Sequence, residues 1–184
     1  MISVYRARPL PRARIVLALL LASAAASAAE FTGRVVGVND GDKITVLDAG
    51  KKQHNIRLSG IDAPEPKQAF GAQSKKNLSD LINNRQVTIT WDKRDRNKRI
   101  AGKVFFRPGL CATPACLEKT DANYQQIAAG MAWHDKQTEA EQSPEDRARY
   151  AAAEKQARAA KRGLWADPAP VPPWEWRSGK TTKQ

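Results

Sequence analysis

The segment Ile56-Arg57-Leu58-Ser59-Gly60-Ile61-Asp62-Ala63-Pro64-Glu65, preceded by Asn39-Asp40-Gly41-Asp42, sets carboxylates, a guanidinium and turn residues within one short reach. That mixture suits metal-assisted chemistry on phosphate, in which acids hold a cation and an arginine fork meets phosphoryl oxygens. Ile56 and Leu58 alternate with Arg57, so a strand here turns its two apolar side chains to a core and leaves Arg57 on an open face. Gly60 and Pro64 then end the strand in a rigid turn, which places Asp62 and Glu65 near the mouth of the cleft that Arg57 faces. Taken alone, Asp40-Gly41-Asp42 reads as an ordinary hairpin turn. Its neighbours give it the second reading.

The surrounding pattern supplies elements to hold these groups. Phe31 to Val38 and Lys43 to Leu47 are rich in valine, isoleucine and threonine on either side of Asn39-Asp40-Gly41, a hairpin signal. A third strand is predicted over about Gln53 to Ser59, a fourth over Val87 to Trp91 and a fifth over Gly102 to Phe106. Helices are predicted over Gln68 to Ile82, Ala122 to Trp133 and Pro144 to Arg162, the last with Ser143 as its cap and Gly163 as its stop. The pattern alone gives an α+β class. The segment from Asp167 to Trp176 is too proline-rich for a helix or a central strand, and is expected to lie extended with Trp174 and Trp176 as anchors. Thr181 to Gln184 are expected to be disordered.

Composition narrows the setting. The chain has 184 residues and a formal charge of +12. Arg6, Arg8, Arg12 and Arg14 precede an apolar run from Ile15 to about Leu21 and then small residues through Ala29, with Ala26-Ser27-Ala28 as an A-x-A cleavage site, so residues 1–28 read as an export signal. The apolar run is shorter than the ~20 residues a spanning helix needs. Loss of that segment removes four arginines and no acid, leaving +8, four fewer than +12. A field of this sign attracts polyanions, although it also fits a membrane or cell-wall surface. Export gives Cys111 and Cys116 an oxidising compartment, where they are expected to close a small loop; zinc is disfavoured, since His54 and His134 show no paired-ligand spacing. The expected organisation is a signal over 1–28, one domain over 29–166 and a proline- and tryptophan-rich tail over 167–184, in a periplasmic or secreted monomer.

The Asp-Gly-Asp turn and the arginine-led strand ending in Asp62-Ala63-Pro64-Glu65 resemble the signature of the thermonuclease family, the staphylococcal nuclease-like domains. Asp95-Arg96-Asn97-Lys98-Arg99 is similar to that family's second arginine segment, and Ala160-Lys161-Arg162-Gly163-Leu164-Trp165 to its closing helix and stop. The resemblance runs from about Phe31 to Trp165 and implies a five-stranded OB-fold barrel with three packed helices. It also implies the site. Asp42, Asp62 and the Ala63 backbone carbonyl would hold calcium, which tolerates an irregular set of oxygen ligands, with Asp40 close by. Glu65 would activate water, and Arg57 and Arg99 would bind the charge that develops on phosphorus.

Three departures from the family pattern stand out. Asn97-Lys98 replaces tyrosine-glycine ahead of Arg99, and Asp135 to Thr138 replace tyrosines of the nucleotide pocket, which weakens base stacking worth ~1–3 kcal/mol per base. Lys43, in place of the usual threonine, puts a cation beside the metal ligands. His134 is expected to be a surface or packing residue at a helix end. The leading expectation is an exported calcium-dependent nuclease acting on DNA with little sequence preference, RNA being left open. A non-catalytic OB-fold nucleic-acid-binding module is the alternative.

Overall fold

The structure, a computed structural model, describes residues 28–108 and 119–179. The expected export segment up to residue 27, the Cys111 and Cys116 pair and residues 181–184 lie outside the described residues.

Alternating apolar positions build three antiparallel strands in sequence: β1 (Ala29–Val38), β2 (Lys43–Asp48) and β3 (Gln53–Leu58). The β1–β2 hairpin turns through residues 39–42, its last pair being Val38 with Ile44, and Ile44 in turn faces Ile56 of β3. There follow β4 (Ile61–Asp62), helix α1 (Gly71–Ile82), β5 (Gln86–Arg94) and β6 (Ile100–Phe106). β5 pairs with β1 and with β6, and β6 runs parallel to β3 with Arg57 opposite Ala101, which closes five strands into a barrel. The expected OB-type α+β architecture is therefore present. The interior is filled by Val35, Ile44, Val46, Ile56, Leu58, Ile89, Ile100 and Val104, each at most 1% exposed. Removing such a side chain from water is worth about 1.5–3 kcal/mol.

After β7 (Thr120–Asp121), helix α2 covers Ala122–Ala128, β8 is Trp133–His134, and α3 spans Pro144–Ala159. Ser143 caps α3 by accepting the Asp146 amide, as its sequence indicates. The helix expected to reach Trp133 stops five residues earlier, because Gly130 takes a φ of +69° and turns the chain. Trp133 and His134 instead pair with Asp62 and Ile61 across β4. His134 is consequently buried within a strand, bonded to Gln142 Oε1 at 2.9 Å, and is the packing residue of the two expected roles, set in a strand and not at a helix end.

The tail also departs from expectation. Pro173–Arg177 forms a one-turn helix, α4. Its prolines fall at the start, where a helix needs no amide hydrogen, and the Pro172 carbonyl accepts from Glu175 and Trp176. Trp174 packs edge-on against Trp133 in a second apolar cluster with Leu164 and Trp165. Among the described residues no helix is long and apolar enough to cross a membrane.

Candidate active site

Four pieces of backbone converge beside the barrel. Asp42 immediately precedes β2, and its carbonyl accepts the Leu58 amide at 2.8 Å, tying the Asp40-Gly41-Asp42 turn to β3. That turn sits so close to α1 that a Cβ on Gly41 would lie 1.9 Å from Ser74 Oγ and 2.8 Å from the Ala63 Cβ. The buried Gln126 of α2 donates to the Gly41 carbonyl at 2.6 Å from the far side. Glycine is required here for closeness, which seats the turn preceding Asp42 against Ala63 and α1. Beyond β3, Gly60 with φ of +70° swings the chain into β4, where pairing with Trp133 fixes Asp62. The Glu65 amide donates to Gln68 Oε1 at 3.1 Å.

The fourth piece is the β5–β6 turn. Asp95 Oδ1 accepts the amides of Asn97 and Arg99, and Lys98 adopts φ of +60°, so the turn presents Arg99 two residues ahead of the position paired with Arg57. Asp42, Arg57, Asp62, Glu65 and Arg99 all line one cleft of about 540 Å³, together with Lys43, Asp95, Glu141 and Arg177 and the basic turn residues Lys93, Arg94 and Arg96. Ala63, next to Asp62 in the chain, is buried and does not line it.

Charge in this cleft is internally paired. Lys43 Nζ lies 2.7 Å from Asp40 Oδ2 and 2.9 Å from Asp42 Oδ1. Burial pushes the Asp42 carboxyl well up despite that lysine, while burial of Asp40 is outweighed by its contacts with Asp42 and Lys43, which hold its carboxyl below the usual value. Arg57 Nη2 donates to Glu141 Oε2 at 2.6 Å, and its Nε lies 3.4 Å from Asp95 Oδ2. Arg99 Nε donates to the same Asp95 oxygen at 2.7 Å. Arg177 straddles Asp62, with Nη1 to Oδ1 at 3.0 Å and Nη2 to Oδ2 at 2.8 Å, and reaches Glu65 Oε1 at 2.8 Å. Burial nevertheless leaves the Asp62 carboxyl above its ordinary value.

A cleft of mixed forks and carboxylates is what phosphodiester chemistry requires, and sequence comparison points the same way. Residues 55–167 match the model of the staphylococcal nuclease homologue family. The chain belongs to the staphylococcal nuclease family. A protein of Escherichia coli named uncharacterized endonuclease is 38% identical over 169 residues, covering 92% of this chain and 99% of its own. Another of that name in Haemophilus influenzae is 37% identical over 153 residues, 83% of this chain and 76% of its own. A micrococcal nuclease of Shigella flexneri is 37% identical over 153 residues, 81% of this chain and 82% of its own.

Within that family frame, the side chains singled out in the sequence share one cleft, but not in the state expected. Arg57 does not stand on an open face: the 3₁₀ segment Lys136–Glu141 covers it and Glu141 holds its guanidinium. Glu141, Asp95 and Arg177 are the cleft residues to which sequence reasoning gave no part. Glu141 and Arg177 lie 84 and 112 to 115 residues from their partners, so no local signal marks them. Asp95 had a signal, since an aspartate four residues before the arginine suits a turn whose side chain accepts local amides.

Among the described residues no group of three His, Cys, Asp or Glu is arranged as a ready metal site. The donor chemistry of Asp42, Asp62 and the Ala63 carbonyl still fits a hard cation, being all oxygen. Lys43 and Arg177 already act as stand-in positive ions on these acids. Carboxylates this buried need a positive partner, and the protein supplies two of its own.

Proposed function

We propose that this protein is an exported, calcium-dependent nuclease that hydrolyses phosphodiester bonds of DNA with little sequence preference. The observation carrying this reading is the shared cleft: two aspartates, a glutamate and two arginines, drawn from a turn, two strands and two loops, face one volume large enough for a phosphodiester. Export is supported by the arginine-rich, apolar and small-residue order of the first 28 residues.

Asp42, Asp62 and the Ala63 carbonyl would hold the cation, which when bound polarises a phosphoryl oxygen and makes a bound water more acidic. Glu65 accepts the proton of the attacking water. Arg57 and Arg99 exchange their carboxylate partners, Glu141 and Asp95, for phosphoryl oxygens, and their planar forks bind the transition state's added charge more tightly than the ground state. Lys93, Arg94 and Arg96 extend a basic track from the cleft for the neighbouring phosphates. With no base-reading residue in this set, discrimination among sequences is small.

The deciding experiment incubates the protein with plasmid and single-stranded DNA, with calcium or with chelator, beside Glu65→Gln and Arg57→Ala. Calcium-dependent cutting that is lost in both variants supports the reading. DNA retention without cutting by the unaltered protein would put a binding module in its place.

A further inference from the structure

Arg177 is a charged residue of the cleft that hydrolysis, as argued above, leaves without a part. It reaches the site from α4, in the tail, and one guanidinium ties together the carboxylate given to the metal and the one given to water: Asp62 by both oxygens at 3.0 and 2.8 Å, Glu65 by one at 2.8 Å. Lys43 does the equivalent for Asp40 and Asp42. Each acid pair thus carries one internal cation.

The two cations differ in their freedom to leave. Lys43 is fixed in β2, paired with Arg57 across the sheet. Arg177 ends a single helical turn, and 47% of its side chain is exposed. The tail is held elsewhere, by Trp174 against Trp133 and by the Gln68 side-chain amide on the Val171 carbonyl. The guanidinium can therefore swing away while the tail remains docked.

We propose that Arg177 is the resident counter-cation of the Asp62 and Glu65 carboxylates, and that a divalent ion enters the site as this guanidinium leaves. The inference rests on the metal reading of Asp42 and Asp62. Its physical basis is competition: a cation within 3 Å of a ligand carboxylate repels a second one, and whatever free energy docking of Arg177 supplies is subtracted from ion binding. The coupling is reciprocal, so the ion must loosen Arg177 by the same factor that Arg177 weakens the ion. Tail-borne Arg177 holds the acidic cluster together before an ion binds and sets the calcium concentration at which the site fills.

Calorimetric titration of the metal-stripped full chain with calcium tests this, using the unaltered protein, Arg177→Gln, Arg177→Lys and Asp42→Asn. Arg177→Gln is expected to bind calcium about five- to tenfold more tightly. Arg177→Lys, which keeps the charge and loses the fork, falls between the two. Asp42→Asn loses most binding. In the unaltered protein, the proton resonance of Arg177 Nε, identified by its loss in Arg177→Gln, shifts and exchanges faster with water as calcium is added. Calcium affinity in Arg177→Gln equal to or weaker than that of the unaltered protein, which itself binds, overturns the inference and leaves the metal reading standing. Absence of calcium binding by the unaltered protein overturns both. Should Arg177→Gln fail to fold, the sign of the Arg177→Lys shift decides the question.

Discussion

Arg57 and Glu141 are 84 residues apart in sequence and 2.6 Å apart in the cleft, each with about a tenth of its side chain exposed. The pair presents the proposed catalytic guanidinium already occupied by an internal anion. Burial opposes the Arg57 charge, and Glu141, together with Asp42 and Asp95, more than offsets it, raising the pKa of Arg57 above its ordinary value. A phosphodiester that binds Arg57 must therefore displace a carboxylate that is itself well placed.

Replacing Glu141 by glutamine removes that competitor. Binding of a single-stranded oligonucleotide in chelator, followed by fluorescence anisotropy, is expected to tighten about three- to tenfold, because Arg57 gains a free fork and the cleft gains one net positive charge. The same change takes one partner from a buried pair, with Asp95 left 3.4 Å away to compensate in part, so urea unfolding should show a loss of about 1–2 kcal/mol. Tighter binding joined to lower stability is the signature. Unchanged affinity would mean that Glu141 does not compete with phosphate.

Gly41→Ala tests how the turn is seated. The added methyl would fall 1.9 Å from Ser74 Oγ, so either α1 or the Asp40 to Asp42 turn must move. Overpacking of this kind costs about 1–3 kcal/mol. The turn is the weaker side, and its movement displaces the adjoining Asp42; nuclease turnover is expected to fall at least tenfold with calcium affinity reduced. Adding Ser74→Ala removes the nearest atom, and the double variant should recover part of both losses.

The strands and the residues that come to line the cleft were legible because their signals are local. Val, Ile and Thr alternate on either side of a Gly-containing turn, and Arg57 sits out of phase with Ile56 and Leu58. What the sequence hid is long-range. A two-residue strand such as Trp133–His134 has no periodicity to detect, and only pairing with β4 defines it. The α4 turn defeats a proline-based rule because Pro172 and Pro173 occupy positions where proline is helix-compatible. Arg177 and Glu141 look like ordinary solvated charges until the fold brings them to Asp62 and Arg57.

Asp95 joins the two arginines, and its own ionisation should register in stability. Burial works against its charge, but the Arg99 side chain and the Arg99 and Asn97 amides outweigh this and hold its carboxyl below the usual value of 3.8. A depressed folded-state pKa means that the unfolded chain takes up the proton first. Its contribution is thus fully present above about pH 4–5 and is lost as pH falls through the folded value. Asp95→Asn should be less stable than the unaltered protein at neutral pH, and their unfolding free energies should converge below pH 4 in urea titrations. A constant difference across pH 3 to 7 would rule this out.

The opposite sign applies at Tyr150, which is buried on α3 and donates its hydroxyl to Asp121 Oδ2 at 2.9 Å. Asp121 also caps α2 by accepting the Tyr124 amide, and Arg149 lies against the same carboxylate, so one acid links two helices. Burial first, and then the Asp121 charge, raise the Tyr150 pKa above 10. The hydroxyl must stay protonated in the fold while an unfolded chain ionises freely from about pH 10, so this contribution is intact below that pH and is lost as pH rises beyond it. Tyr150→Phe deletes a hydrogen bond to a charged acceptor and is expected to cost about 1.5–3 kcal/mol at pH 7. It also removes the Tyr150 share of the alkaline decline, so the two proteins' thermal midpoints should approach each other between pH 9 and 11. A gap that stays fixed over that range would show that Tyr150 contributes packing alone.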